Sequence, residues 1–338
     1  LPFLSNLKTL DSFKSTPFRF YFFGMIGQWA AMSMLMITQS LLVFRLTGSP
    51  AILGILALGT AIPQLLFFMI GGSMADRFPK KRLIQIGQIA AGLMALAVAI
   101  TISTGYMSSK HPESWWILLV TSIIQGIFNA VAIPARQAII PDLVKPDTIM
   151  NALALNTMGT NTFRIIAPAV AGFIIDGAGF AAVFYVMAGL YFMAVFLTAF
   201  IPRTQKLIKH PRSTLAEAGE GLAYIWKTRI IFLLLSYAIF YIILFMPYQS
   251  MISIFTETIL KVGATQLGLL QTVLGVGALA TSLVLASFSP RRRGVLVLGG
   301  GMISGIGLVI FAFSHWWYLS LAAMFIVGIG QAAHGTAL

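Results

Sequence analysis

Apolar residues run along this chain in blocks of about twenty or more, and charged residues gather in the gaps between them. A block of that length matches the hydrocarbon thickness of a bilayer crossed by an α-helix. Ten such runs are legible, at 18–44, 51–74, 83–104, 115–133, 150–175, 180–201, 230–251, 266–287, 295–314 and 318–337. In lipid, backbone N–H and C=O groups must be satisfied within the segment, so the runs predict helices and an all-α polytopic membrane protein. The first run is long enough to tilt or to begin as an interfacial helix.

The gap Pro202–Arg229 is much longer than the others. Within it Leu215, Ala218, Leu222 and Ile225 recur at spacings of three and four among charged positions, which predicts an amphipathic helix lying on the membrane surface. This gap separates six runs from four. The expected organisation is a six-helix bundle over 1–201, a linker over 202–229 and a four-helix, incomplete bundle over 230–338. A faint repeat fits it: Leu53-Gly54-Ile55-Leu56 opens the second run and Leu267-Gly268-Leu269-Leu270 the eighth, and each run is followed by a basic turn. If both halves hold six spans, two are missing after Leu338, and the chain reads as a C-terminally truncated fragment that begins without methionine.

Charge orients the runs. Of 22 cations, 18 fall in gaps or at a run's edge on the side of the amino terminus, including Arg77, Lys80, Lys81, Arg82, Arg136 and Arg291 to Arg293. Only Arg45, Lys110 and Lys261 fall on the opposite side, and Arg164 lies inside a run. The positive-inside rule therefore predicts a cytoplasmic amino terminus, with Trp115, Trp116, Trp316 and Trp317 in an outer aromatic belt.

Composition narrows the class further. With 58% hydrophobic residues and a mean hydropathy of +0.91, a soluble fold could not cover its surface. The net charge of +13 is spent in short clusters between spans, so membrane lipids, not nucleic acid, are the expected partner. Cysteine is absent and the four histidines are scattered, which argues against a disulfide framework, a catalytic thiol or a metal site. No phosphate-binding G-x-x-x-x-G-K-[ST] stretch is present, so no nucleotide and no other cofactor is expected.

The densest charge lies in Gly71-Gly72-Ser73-Met74-Ala75-Asp76-Arg77-Phe78-Pro79-Lys80-Lys81-Arg82, between the second and third runs. Its glycines predict a close backbone approach, and Asp76 can accept from helix-start N–H groups or pair with a cation. As it stands the stretch is either a topology-setting charge run or a working part. It resembles the signature loop of major facilitator superfamily transporters. That resemblance implies that Gly72, Asp76, Arg77, Lys80, Lys81 and Arg82, with Arg136, belong to a latch joining the halves on the cytoplasmic face. A second series is similar to the bacterial branch holding the enterobactin exporter and macrolide-efflux proteins. It comprises Pro134-Ala135-Arg136-Gln137, Ile140-Pro141-Asp142-Leu143-Val144, Asn151-Ala152-Leu153 and Arg164-Ile165-Ile166-Ala167-Pro168 with Gly172. Gly27-Gln28-Trp29 and Leu46-Thr47-Gly48-Ser49-Pro50 fit the same branch.

Arg164 is the sharpest single residue. A bare charge at a span centre costs about 2.5–3.5 kcal/mol on insertion scales, and none of the nine acids lies centrally in a run. Thr157, Asn161, Arg164 and Pro168 share one helical face. Two readings stand: an anionic or phenolate-bearing substrate meets Arg164 in a wet cavity, or carbonyls and amides bind it at a packing seam. Gln28, Gln125, Asn129, Tyr237, Tyr241 and Gln271 are further cavity candidates, because polar residues in spans face the bundle interior. Gln39, Met32 and Met36 are weaker ones. Gly275, Gly277, Gly301 and Gly305 read as close-packing positions.

The resemblance implies a bacterial inner-membrane secondary transporter, monomeric and not an enzyme. It would export small amphipathic compounds such as drugs, macrolides or siderophores by alternating access, in antiport with protons. The rivals are a lysophospholipid flippase of the same superfamily and a non-transporting membrane scaffold or sensor.

Overall fold

The computed structural model describes residues 8–202, 226–229, 232–233, 236–237, 240, 248–286 and 293–337. The described residues are helical, with no strand among them. The major helices are α1 (Thr16–Thr47), α2 (Pro50–Arg77), α3 (Lys80–Ser103), α4 (Trp116–Leu143), α5 (Ile149–Ala199), α6 (Tyr248–Phe255), α7 (Ala264–Ala286), α8 (Arg293–Ala312) and α9 (Trp317–Ala337). Seven of the described helical segments are long and apolar enough to cross a membrane. The continuous α5 holds the fifth and sixth predicted spans, which part at Gly179, where φ is 81° and ψ 175°. A side chain there would be strained, so glycine breaks the helix without a loop. The predicted seventh span lies largely outside the described residues, as do 203–225 of the predicted linker and its amphipathic helix.

One boundary moves. The run ending at residue 133 was expected to leave the membrane there, yet α4 continues through Pro134 and Pro141 to Leu143. Arg136 therefore stands on a helix inside the amino-terminal half and not in a loop. Proline is tolerated within such helices because neighbours serve the backbone groups it frees. Pro134 cannot donate to the carbonyl of Ala130, and Gly71 of α2 packs directly on that carbonyl, leaving no room for a Cβ. Gly72, expected to share this close approach, has nothing near it, because its neighbour alone faces α4. Gly305 likewise faces open space, whereas Gly275 and Gly277 are packed against α5 and α9.

In the amino-terminal half α1 packs on α5, α2 on α4, and α3 on both α4 and α5. Phe18, Tyr21, Met25, Leu83, Ile139, Leu143, Ala152 and Ile201 form one buried cluster near the turns after α2 and α4, the basic face of the bundle. A second cluster runs toward the opposite, far face and joins both halves, through Leu46, Leu53, Ala99, Ile175, Val183, Ile252, Ala264 and Phe311. In the other half α9 packs between α7 and α8. Outward positions such as Leu65, Leu66, Phe196 and Phe313 are exposed and apolar, as lipid-facing positions are.

The halves meet chiefly where α5 crosses α7. Gly172 packs on the carbonyl of Ala264, and Gly268 on that of Pro168, so each helix presents a glycine to the other's backbone. Four polar ties accompany this contact. The Asp176 carboxylate accepts the backbone N–H groups of Ala264 (3.1 Å) and Thr265 (2.8 Å), satisfying two donors at the start of α7. The hydroxyls of Ser40 and Ser253 lie 2.6 Å apart. The Arg45 guanidinium donates to Glu257 Oε1 at 2.6 and 2.8 Å. Thr272 Oγ1 donates to the carbonyl of Ile165 at 2.7 Å.

Candidate functional site

The crossing of α5 and α7 clamps α5 at Ile165 and above, and a cavity of about 400 Å3 opens beside that clamp. This volume is in the range of small-molecule sites. Both halves line it. Ser33 and Met36 come from α1, Asn161 and Arg164 from α5, Gln249 from α6, Gln271 and Ser282 from α7, and Gln331 from α9. Asn161 and Arg164 share a face because they are three residues apart on one helix. The polar ties between the halves lie level with this cavity, at Ile165, or beyond it toward the far face.

Arg164 is exposed in this setting, and it makes no hydrogen bond or ion pair with any described residue. No carboxylate is among the lining residues. Asn161, Gln249, Gln271 and Gln331 are also without a hydrogen-bond partner among the described residues. Arg164 is exposed and the four amides are half-buried around one space, so a guanidinium and four amides offer their donors to whatever enters it.

The remaining candidates fall elsewhere. Gln28, Gln125 and Asn129 line a second, smaller cavity of about 50 Å3 inside the amino-terminal half, with Gln39, Met32 and Tyr191. That is room for a few water molecules. Part of its polarity is already used: Gln88 Nε2 donates to Gln28 Oε1 (2.9 Å), Thr198 Oγ1 to Gln88 Oε1 (3.1 Å), and Gln39 Nε2 to Ser122 Oγ (2.6 Å). Polar residues within spans do face inward here, but α1 divides the interior into two places. Met36, on the other face of α1, lines the larger cavity. The Tyr237 hydroxyl lies 3.4 Å from His334 Nδ1, which also faces the carbonyl of Val297 at 3.3 Å. Tyr241 lies outside the described residues.

On the basic face, Lys80 is buried and donates to Asp142 Oδ2 (2.7 Å) and to the carbonyl of Ala138 (2.8 Å). Lys81 donates to the carbonyls of Ala199 and Ile201. These bonds tie α3 to α4 and α5 within one half. Arg77 and Arg82 are exposed, and the Asp76 side chain lies outside the described residues. Tyr21 donates to the backbone carbonyl of Arg136 at 3.2 Å.

Ser33, Ser282, Gln249, Gln331 and Gln88 were not singled out from the sequence. The signal that marked Gln271, an isolated amide in an apolar run, is equally present at Gln249, Gln331 and Gln88.

The sequence profile described as Major Facilitator Superfamily matches residues 21–338. The chain belongs to the Major Facilitator Superfamily. It is a multi-pass membrane transporter and not an enzyme. It is 31% identical over 159 residues to the staphyloferrin A transporter of Staphylococcus aureus, covering 47% of this chain and 38% of that one. It is 23% identical over 296 residues to macrolide efflux protein A of Streptococcus pyogenes, covering 83% and 71%. The MFS-type transporter YfiS of Bacillus subtilis is 26% identical over 315 residues, 85% of this chain and 71% of that one. The fold resembles the solved nucleoside transporter NupG, with a TM-score of 0.72 at 15% identity, over 95% of this chain and 81% of the other. It also resembles a D-xylose-proton symporter, with a TM-score of 0.68 at 13% identity, over 95% and 80%.

Proposed function

We propose that this superfamily member is a bacterial inner-membrane exporter of small amphipathic compounds, working by alternating access and coupled to protons. The observation that carries the reading is the 400 Å3 cavity lined by both halves, with Arg164 and four amides on its wall. Superfamily transporters bind at such a repeat interface and rock the halves around it. With the basic turns held at the inner leaflet, the far face is the outer one. The ties at Asp176, Arg45 and Ser40 then close the outer side, which is the loading state of an exporter. The macrolide-efflux relative supports the export direction.

The test is flux through the full-length protein in inside-out vesicles. Imposed ΔpH is expected to drive accumulation of at least one member of a panel of siderophores, macrolides and amphipathic dyes. No proton-dependent flux of any member overturns the reading. Movement of labelled lysolipid alone replaces export with lipid flipping.

A further inference from the structure

The cavity's charge is one-sided, and this narrows what it can take. We propose that it selects organic anions rich in oxygen acceptors, a carboxylate or phenolate on a polar body, and rejects cationic amphiphiles. The inference rests on the transport reading above and deepens it.

Arg164 supplies a fixed positive charge on the wall of the larger cavity, with no acid among the described residues that line the same space. Guanidinium is never deprotonated in proteins and presents five N–H donors in a fork that matches a carboxylate or a pair of phenolate oxygens. That charge stands on the cavity wall beside Met36 and Leu274, so its sign biases which ligands the space favours. A cation would have to sit in the same space without a counter-charge, a cost that hydrophobic contact does not remove.

The amides refine the class. Asn161 and Arg164 stand on one half, while Gln249, Gln271 and Gln331 stand on the other, and each amide retains its two N–H donors. A ligand with several acceptors can bond to both halves at once, whereas one with a single charged head and an apolar tail engages only Arg164. Binding energy is then shared between the halves, as a substrate that must ride through their rearrangement requires.

The alternative reading of Arg164, a cation consumed by carbonyls and amides at a packing seam, predicts hydrogen bonds to the side chain. None is made to a described residue.

A matched probe series separates these ideas. An amphipathic fluorescent carboxylate, its methyl ester and its trimethylammonium analogue share one apolar body, and their binding to full-length protein in detergent is read by fluorescence polarisation. The carboxylate is expected to bind at least about tenfold more tightly than either of the others. Arg164→Lys should keep that order, Arg164→Gln should level it, and Arg164→Glu should favour the ammonium probe. Equal binding of carboxylate and ammonium by the wild-type protein overturns the proposal, and so does an anion preference that survives Arg164→Gln. The wild-type comparison stands even if a variant fails to fold. Flux without charge preference removes this inference and leaves the transport reading; charge preference without flux of any probe removes the transport reading. Failure of all three probes to bind overturns the charge selection and leaves the transport reading to the flux panel.

Discussion

Arg45, near the end of α1, and Glu257, just beyond α6, form a two-armed ion pair that spans the two halves at the far face, with both arms on one carboxylate oxygen at 2.6 and 2.8 Å. Their side chains are 36% and 26% exposed, so solvent screens the pair and its worth is about 0.2–1 kcal/mol. That is a bias on an equilibrium rather than a lock. Arg45→Ala is expected to raise the population open at the far face by up to roughly fivefold. Spin-label distances between α1 and α6 read that population directly. Reversing the pair, Arg45→Glu with Glu257→Arg, should restore the wild-type distribution; no restoration would assign the single-variant effect to something other than the pair.

Lys80 and Asp142 behave differently because Lys80 is buried. Asp142→Ala leaves its ammonium with the Ala138 carbonyl alone. Loss of one partner of a buried pair costs about 3–5 kcal/mol, and the partial exposure of Asp142 puts this case at the lower end. A clear drop in melting temperature in detergent is expected. Lys80→Met with Asp142→Leu should recover much of it, because no unpaired charge then remains.

Gly268 faces the carbonyl of Pro168 at the crossing of α5 and α7. Gly268→Val must push the helices apart, and overpacking of this kind costs about 1–3 kcal/mol. Since the displacement separates the halves, disulfide formation between Ser40→Cys and Ser253→Cys should fall sharply in the Gly268→Val background. Unchanged cross-linking would show that the halves do not bear on each other at this point.

The buried chain Gln28–Gln88–Thr198 joins α1, α3 and the second limb of α5. Gln88→Leu strands Gln28 Oε1, while the Thr198 hydroxyl keeps the carbonyls of Ala194 and Val195, for a loss of about 1–3 kcal/mol in thermal or denaturant unfolding. The double change Gln28→Leu with Gln88→Leu should cost less than the single one.

Helix positions were legible in the sequence because a bilayer imposes one length and one polarity on every crossing, so apolar runs and basic gaps suffice to read them. The exit of α4 was not. Pro134 and Arg136 end the apolar run, but the helix continues to Leu143, with Gly71 of α2 packed on the Ala130 carbonyl that Pro134 cannot bond. Arg164, Asn161 and Gln271 were recognisable as polar residues in apolar surroundings, and they converge on one cavity. Gln28, Gln125 and Asn129 carried the same signal and lie in another. Periodicity places a side chain on a face of its own helix; which neighbour that face meets depends on how α1 is wedged among the others.

Pro168 sits between two jobs of α5. It has no N–H for the carbonyl of Arg164, so one rung is missing where the helix passes from the cavity to its clamp. Above that gap, Gly172 and Asp176 hold fast to α7; below it, Ile165 is tied by Thr272 and packed on Gly275, and the limb continues through Arg164 and Asn161 along the cavity. Under the proposed reading, a molecule that grips the guanidinium tugs on a lever whose fulcrum is the proline, and the far-face seam need not yield for the arm beneath it to swing.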